Sequence, residues 1–585
     1  MVQETTPQPS SSDVRPAAAR PEQAWIHKPD RPLAGDDTAG GALKGLRCAV
    51  KDNIDVAGWP TTAACPAFAY TPREHAKPVQ MLLDAGASVV GKTNLDQFAC
   101  GLNGTRSPYG PVPNAFDPRY VSGGSSSGSA FVVATGQVDF ALGTDTAGSG
   151  RVPAGLNNIV GLKPSRGLIG ARGVVPAAQS VDCVSIFATT VARAAQVLAA
   201  IMGPDRADPY SRVIPMEDRP FGAQFRFGVP QSLTFMGDEA AASAFDEAVT
   251  RLKALGGEAV PIAYAPLAQC AEMLYGSALV AERYTAVRGF VDSHADDIIE
   301  PVRSILLAGK DYSAADLFAA QTRLALLTRQ AAQLWHDIDL LVVPTAPTHY
   351  TIEAMQADPV ALNRNLGAYT NFVNLLDYAA LSVPGSLRPD GLPFGITLIG
   401  RCGSDWQLAE LGQRFHHDTG LTQGATGKPL PPMQPIPGLK TPAEPAVTRV
   451  AVVGAHLSGM PLNGQLTERG ATLLASTHTA DIYRLYALPG TTPPKPGLLR
   501  VAPCEGAAIE VEVWAMPMEH YGSFVALVPS PLSIGTLQLA DGSNVQGFLC
   551  EPLALEGAAD ITHLGGWRAY IASTVSPRAS TAGPI

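Results

Sequence analysis

Three residues in this chain have the types and spacing needed to attack an amide. Lys51 lies in the run AVKDNIDVAG, and Ser125 and Ser149 lie in two Gly/Ser clusters that bracket an apolar stretch. An amide carbon is a poor electrophile and a serine hydroxyl a poor nucleophile, so the reaction needs a base, a proton relay and fixed oxyanion donors. The lysine and the serines can supply the first two. Backbone N–H groups of residues 145–149 can supply the third, because glycine lets the main chain approach a substrate closely.

The two clusters resemble the amidase signature family, whose members use a Ser-cisSer-Lys triad. The family motif GGSSxGSA is present at residues 123–130 as GGSSSGSA, and the motif around the nucleophile is GTDTAGSGR at residues 143–151. The separation of 24 residues between Ser125 and Ser149 also agrees with the family's spacing. The resemblance covers about residues 25–420 and implies an α/β fold in which helices cover a mixed β-sheet.

The resemblance also implies a role for each residue. Ser149 is the nucleophile, Ser125 is a relay presented by a cis Gly124–Ser125 peptide, and Lys51 is a neutral base. Because desolvation lowers the pKa of an ammonium group, a neutral lysine must be buried. The implied supporting residues are Thr146, Ala147 and Gly148, whose N–H groups hold the oxyanion, and Asp145 and Arg151, which brace the loop.

Three other interpretations of these Gly-rich stretches are a flexible linker, a phosphate-binding loop and a serine elbow. A Gly/Ser-rich run is often a flexible linker, but apolar runs flank this one closely and leave it inside a domain. Residues 86–93 (GASVVGKT) fit the phosphate-binding G-x-x-x-x-G-K-[ST] pattern, which needs a strand before the loop. Here a predicted helix at 79–85 precedes a predicted strand at 88–90, which is the reverse order. A G-x-S-x-G elbow with Ser126 as nucleophile stays open, although residues 114–122 before it are turn-like.

Composition restricts the class of protein. The 585 residues are 46% hydrophobic, enough for at least two domains, and 42 basic against 52 acidic residues leave a net charge of −10. This balance argues against nucleic-acid and anionic-membrane partners. The eight cysteines form no CxxC pair, so we expect no metal, no cofactor and no disulfide framework. No apolar core of a signal peptide and no run of about 20 apolar residues is seen, so we expect a cytoplasmic protein.

The order of segments predicts two folded domains. Residues 428–447 carry seven prolines and should form an extended connector. We expect a disordered segment at 1–22, an amidase domain at 23–427, this linker, a smaller α/β or α+β domain at 448–577, and a tail at 578–585. Periodicity predicts helices at 192–202 and 238–254, and strands at 226–229, 339–343, 449–453, 480–487, 508–513 and 525–528.

A second resemblance concerns the substrate. Residues 274–284 resemble the substrate-binding helix of allophanate hydrolases, and two helical turns would bring Tyr275 and Arg283 to one face. Arg283 would hold the carboxylate of allophanate, Tyr275 would contact its ureido group, and Gly124 would also line the site. The alternative is an amphipathic helix with a solvated arginine.

The last part of the chain resembles the C-terminal domain of full-length allophanate hydrolases. The resemblance rests on residues 452–463 (VVGAHLSGMPLN) and 510–514 (EVEVW). In that family the domain has been linked to decarboxylation of N-carboxycarbamate or to assembly with partner enzymes, and His456 is the candidate functional residue. The chain departs from the family at its start, where about 20 polar residues stand in place of a helical segment.

The sequence therefore predicts an allophanate hydrolase that releases ammonia from a small-molecule substrate. We expect a homodimer and a complex with upstream nitrogen-catabolic enzymes. A broad amidase, a component of an aminoacyl-tRNA amidotransferase, and a non-enzymatic protein whose tail is the functional part are the alternatives.

Overall fold

The computed structural model describes residues 21–35, 41–440 and 447–575. The chain forms two compact units, which divide between Lys440 and Thr441. This division falls within the proline-rich stretch 428–447. Apart from residues 21 and 22, the predicted N-terminal segment lies outside the described residues, and so does the predicted tail at 578–585.

The first unit is built on a mixed sheet of eleven strands among its described residues. The strands are β1 Trp25–His27, β2 Arg47–Lys51, β3 Ser88–Thr93, β4 Phe140–Asp145, β5 Val160–Lys163, β6 Cys183–Ala188, β7 Phe225–Pro230, β8 Gly257–Ile262, β9 Leu340–Pro344, β10 Ala379–Leu387 and β11 Pro393–Gly400. Their order is β1-β3-β2-β4-β6-β5-β10-β11-β9-β7-β8.

Helices connect and cover these strands. They are α1 Lys77–Asp84, α2 Ser127–Ala134, α3 Val152–Leu156, α4 Val191–Ile201, α5 Glu239–Ala254, α6 Ala265–Gly276, α7 Ala281–Ala286, α8 Arg288–His294, α9 Val302–Leu307, α10 Ala314–Ala332, α11 Ile352–Ala357, α12 Ala361–Leu366, α13 Phe372–Leu375 and α14 Asp405–Asp418. The helices predicted at 79–85, 192–202 and 238–254 are confirmed, since they overlap α1, α4 and α5. The strands predicted at 88–90, 226–229 and 339–343 are confirmed in the same way by β3, β7 and β9. The mixed sheet covered by helices is confirmed as well.

Strand β4 lies in the core of this unit, and all six of its side chains are buried. Phe140 and Leu142 pack in the same cluster as α1 and α4. Ala141, which points to the opposite face, packs in the cluster that holds Phe131 of α2. Because β2 pairs with β4 in parallel, the carboxyl ends of these two strands meet at one edge of the sheet. Lys51, the last residue of β2, therefore lies beside the segment that follows β4.

The second unit is α+β, with two sheets and, in its described residues, three α-helices. The elements are β12 Val447–Val452, α15 Gly464–Thr467, β13 Thr472–His478, β14 Tyr483–Ala487, β15 Pro496–Arg500, β16 Glu510–Pro517, α16 Met518–Val525, β17 Leu532–Gln538, β18 Asn544–Cys550, β19 Ala559–Asp560 and α17 Trp567–Val575. The five-stranded sheet has the order β13-β16-β12-β18-β17, and the three-stranded sheet has the order β15-β14-β19.

Most of the strands predicted here are present, but one prediction is wrong. The strands predicted at 449–453, 480–487 and 508–513 overlap β12, β14 and β16. Residues 525–528, predicted as a strand, instead form the end of α16 and the turn after it. Phe524 is buried and Tyr521 packs against the same cluster, and this spacing of three residues suits a helix. In the described parts of both units, no helix is long and apolar enough to cross a bilayer.

Candidate active site

Lys51 is held at the end of β2 in a fully buried position. Its Nζ donates hydrogen bonds to Ser125 Oγ and to Thr144 Oγ1, both at 2.7 Å. Burial lowers the pKa of Lys51 to about 7, and the nearby carboxylates, Asp96 foremost, act in the opposite direction. A large fraction of this lysine is therefore neutral near pH 7, in contact with a hydroxyl from which it can take a proton.

Ser125 follows a cis peptide bond, and the expected cis Gly124–Ser125 geometry is confirmed. The Ser125 carbonyl accepts the N–H of Asp96 at 3.0 Å. A side chain at Gly124 would collide with Asp96 Oδ2 and would lie 2.6 Å from the Gly104 nitrogen. Only glycine fits at position 124, directly before the serine that contacts the lysine.

Ser149 lies in the loop that follows β4 and is 2% exposed. Its Oγ donates to the Gly101 carbonyl at 3.4 Å. Within residues 41–440, the Ser149 hydroxyl makes this one hydrogen bond. The Ser125 hydroxyl is bonded to Lys51. The structure thus joins the lysine to the first serine, and the second serine is held separately by a backbone carbonyl.

Asp145 and Arg151 form a buried ion pair that braces the loop around Ser149. Arg151 Nε lies 2.9 Å from Asp145 Oδ2. Burial alone would raise the pKa of Asp145, but the Arg151 guanidinium and the hydrogen bonds to the carboxylate outweigh it and lower that pKa. The carboxylate also accepts the N–H of Gly148 at 2.9 Å and that of Gly150 at 3.0 Å.

These contacts correct the expected set of oxyanion donors. Because the Gly148 N–H already donates to Asp145, it is not available to a substrate oxygen in this arrangement. In the loop as the structure describes it, the N–H groups of Thr146 and Ala147 have no protein acceptor. These two N–H groups are the better candidates.

The structure contradicts the predicted continuous helix at 274–284. Helix α6 ends at Gly276, and Ser277 takes extended angles (φ −140°, ψ 177°) and caps a short 3₁₀ turn before α7. Tyr275 and Arg283 therefore sit on different helices. They nevertheless meet, since Arg283 Nη2 donates to the Tyr275 hydroxyl at 3.1 Å and the guanidinium lies 4.8 Å from the ring centre.

Arg283 is 2% exposed, so the alternative of a solvated arginine is wrong. Its Nε and Nη1 are buried without a hydrogen-bond partner in the described residues. Such donors are costly to leave unsatisfied, and an anionic ligand would satisfy them. Tyr275 also lines a cavity of about 1080 Å³, whose wall includes Leu102, next to the Gly101 carbonyl that holds Ser149.

Neither the serine elbow at Ser126 nor the phosphate-binding pattern at residues 86–93 has the geometry that its chemistry requires. Ser126 Oγ donates to the Thr144 carbonyl and accepts the Thr144 N–H, so its hydroxyl is occupied, and no strand precedes it in the loop. The serine elbow is therefore wrong. Lys92 of the phosphate-binding pattern lies in β3, after α1, and is paired with Asp52 at 3.1 Å, so that pattern carries no phosphate site either.

Several site residues were missed from the sequence. Thr144 contacts Lys51, Asp96 lies under Gly124, and Asn374 donates to the Asp145 carbonyl at 2.7 Å. Thr144 lies inside the nucleophile motif and could have been found there. Asn374 is 229 residues from its partner, and no local signal marks it.

In the second unit, His456 lies on the wall of a cavity of about 190 Å³. Its ring stacks on Phe548 with centroids 5.1 Å apart, and its Nε2 is 2.9 Å from Gln465 Oε1. Burial lowers the pKa of His456 and favours the neutral ring. Lys495 lines the same cavity and brings a positive charge. Within the described residues of the chain, no cluster of three or more His, Cys, Asp or Glu side chains is placed to hold a metal ion.

Comparison with known proteins agrees with this two-unit organisation. The amidase family model matches residues 19–409, and the model of the allophanate hydrolase C-terminal domain matches residues 448–572. A solved structure of Kluyveromyces lactis allophanate hydrolase is 41% identical with a TM-score of 0.69, covering 95% of this chain and 94% of that one.

Two sequence relatives give further evidence on the family of this chain. Urea amidolyase of Saccharomyces cerevisiae is 45% identical over 90% of this chain, which spans only 29% of that longer protein. A glutamyl-tRNA(Gln) amidotransferase subunit from Halobacterium salinarum is 36% identical over 62% of this chain and 92% of its own length. The chain therefore belongs to the amidase family and carries, after its amidase domain, an allophanate hydrolase C-terminal domain.

Proposed function

We propose that this protein hydrolyses allophanate and releases ammonia through an acyl-enzyme on Ser149. The observation that carries the proposal is the coverage of both units by K. lactis allophanate hydrolase, together with the buried contact between Lys51 and Ser125. The pair of Arg283 and Tyr275 supports a substrate with a carboxylate, because the unsatisfied guanidinium donors match such a group.

In the proposed reaction, neutral Lys51 accepts the proton of Ser125, and Ser125 accepts that of Ser149. Ser149 Oγ then attacks the terminal ureido carbon, while the N–H groups of Thr146 and Ala147 stabilise the oxyanion. The amine leaves as ammonia after it receives the proton back through Ser125. Water then attacks the acyl-enzyme by the same relay and releases N-carboxycarbamate. The relay requires the Ser149 hydroxyl to turn from the Gly101 carbonyl to Ser125 when substrate binds.

For the second unit we propose decarboxylation of N-carboxycarbamate at the His456 cavity. A neutral histidine and a nearby lysine in a cavity of about 190 Å³ suit a small dianion, whose charge Lys495 would offset. A role of this unit in assembly is the alternative. The proposal extends to a cytoplasmic homodimer and to a pathway that begins with urea, the latter supported by the urea amidolyase relative.

The test is a panel assay of ammonia release from allophanate, malonamate, biuret and a long acyl amide. We expect turnover of allophanate with little turnover of the long amide. Preference for the long amide, or activity only with glutamine and partner proteins, would contradict the proposal and favour a broad amidase or a component of an amidotransferase. If Ser149→Ala kept full hydrolysis, the reaction would not use this site at all.

A further inference from the structure

Thr146 is anchored by a side chain that no sequence motif marked. Its Oγ1 donates to Asp182 Oδ1 at 2.5 Å, and the two residues are 36 positions apart in the chain. Thr146 is 2% exposed, and its N–H is one of the two in this loop that have no protein acceptor among the described residues. The bond therefore connects the proposed oxyanion site directly to the segment just before β6.

The second carboxylate oxygen of Asp182, Oδ2, stabilises the turn formed by residues 177–182. Asp182 Oδ2 accepts the N–H of Ala177 at 2.8 Å and that of Ala178 at 3.2 Å. The Asp182 N–H donates back to the Ala178 carbonyl at 3.0 Å. Both carboxylate oxygens are thus used: Oδ2 closes the turn, and Oδ1 accepts the Thr146 hydroxyl and also, at 3.3 Å, the N–H of Ala178. We call residues 177–182 the bridging segment.

This arrangement can fix the main chain at Thr146. A β-branched side chain has few rotamers, so holding Oγ1 in place also restricts the orientation of the residue's backbone. Oxyanion donors stabilise a transition state only when they are held in the correct direction before the reaction. A misplacement of about 1 Å is enough to reduce a rate about 100-fold.

The bridging segment also reaches the helix that carries Arg283. The N–H and the Oγ of Ser180 each donate to the Glu282 carboxylate, both at 2.7 Å. Glu282 immediately precedes Arg283 in α7. Asn374 donates to the Val181 carbonyl at 3.0 Å. One short segment therefore contacts both the proposed oxyanion loop and the proposed carboxylate-binding helix.

We propose that Asp182 is a positioning residue, which holds the oxyanion-binding N–H groups of Thr146 and Ala147 in place and ties them through the bridging segment to the helix of Arg283. This inference rests on the proposed function, because it assigns the supporting structure of the same site. Asp182 itself does not touch the reacting atoms.

The test compares variants of the two bonded residues in the full chain. Thr146→Val and Asp182→Ala should each lower kcat about 10- to 100-fold with KM changed by less than about threefold. The double variant should lose no more kcat than either single variant, because both substitutions remove the same hydrogen bond. Thr146→Ser keeps the hydroxyl, and Asp182→Asn can still bond the threonine through its amide, so both should restore most of kcat. Thr250→Val, which removes an exposed hydroxyl on α5, is the matched control.

A folded Thr146→Val protein with the kcat of the wild type would overturn the inference, and so would losses that multiply in the double variant. If Asp182→Ala does not fold, the two Thr146 variants decide the question. A wild-type protein that fails on allophanate defeats the proposed function but not this inference, because the variants are then compared on the amide that it does hydrolyse. The rate at which a phosphonate labels Ser149 gives the same comparison without turnover, since its oxygen occupies the oxyanion site.

Discussion

Lys51 Nζ lies 2.7 Å from Ser125 Oγ, and both residues are fully buried. Burial of the amine without a carboxylate partner in contact favours its neutral form, which is the form a general base needs. Burial lowers the pKa of Lys51 and the surrounding carboxylates limit that fall, Asp96 more than Asp182 or Asp145.

The first prediction concerns pH. Because Lys51 must be neutral, kcat/KM should fall as pH decreases through about 7, where the lysine gains its proton. Asp96→Asn removes a charge that raises the pKa of Lys51, so the acid limb should move to lower pH. A pH–rate profile of both proteins tests this. An acid limb that stays in place or moves to higher pH in the variant would contradict the assignment.

A second prediction concerns Arg283. Loss of its guanidinium should raise KM for allophanate about 10- to 100-fold, which is the range of a charge-assisted hydrogen-bonded pair. Arg283→Lys keeps the charge but loses the planar guanidinium group. Its KM for allophanate should therefore lie between those of Arg283→Ala and the wild type. Steady-state kinetics measure both. Arg329→Gln, on the exposed surface of α10, is the control, and an unchanged KM in Arg283→Ala would remove this arginine from carboxylate binding.

The ion pair of Asp145 and Arg151 predicts a large effect on stability. Arg151→Met leaves a buried carboxylate without its partner, so the free energy of unfolding should fall by about 3–5 kcal/mol. Denaturant unfolding of the variant and the wild type measures this difference. The folded state lowers the pKa of Asp145, so its contribution is present at neutral pH and is lost as pH falls through that lowered value. A loss below about 1 kcal/mol would show that the pair is not what braces the loop.

His456 predicts a separation of the two products. His456→Asn should slow release of carbon dioxide while the first ammonia appears at the wild-type rate, because we assign the two reactions to different units. Simultaneous measurement of both gases tests this, with the exposed His563→Asn as control. If carbon dioxide release is unchanged, assembly becomes the better explanation of the second unit.

The local part of this site was predictable from the sequence. The motifs around Ser125 and Ser149 are continuous stretches, and the resemblance to the amidase signature family rests on them. The buried state of the lysine followed from the role assigned to it. The residues of each motif are adjacent in the chain, so a sequence pattern is enough to identify them.

Contacts between distant segments were not predictable in the same way. The bond from Thr146 to Asp182 joins residues 36 positions apart and depends on how two loops pack, which no single stretch encodes. Tyr275 and Arg283 were expected together on one helix. They do meet, but across a break at Ser277, so the expected contact was correct and the reason for it was wrong.

Labelling of the nucleophile tests the central claim most directly. A fluorophosphonate should form an adduct on Ser149, located by peptide mass spectrometry, and the rate should fall at least about 100-fold in Lys51→Met and in Ser125→Ala. An adduct on Ser125 or Ser126, or a labelling rate that does not depend on Lys51, would contradict the account.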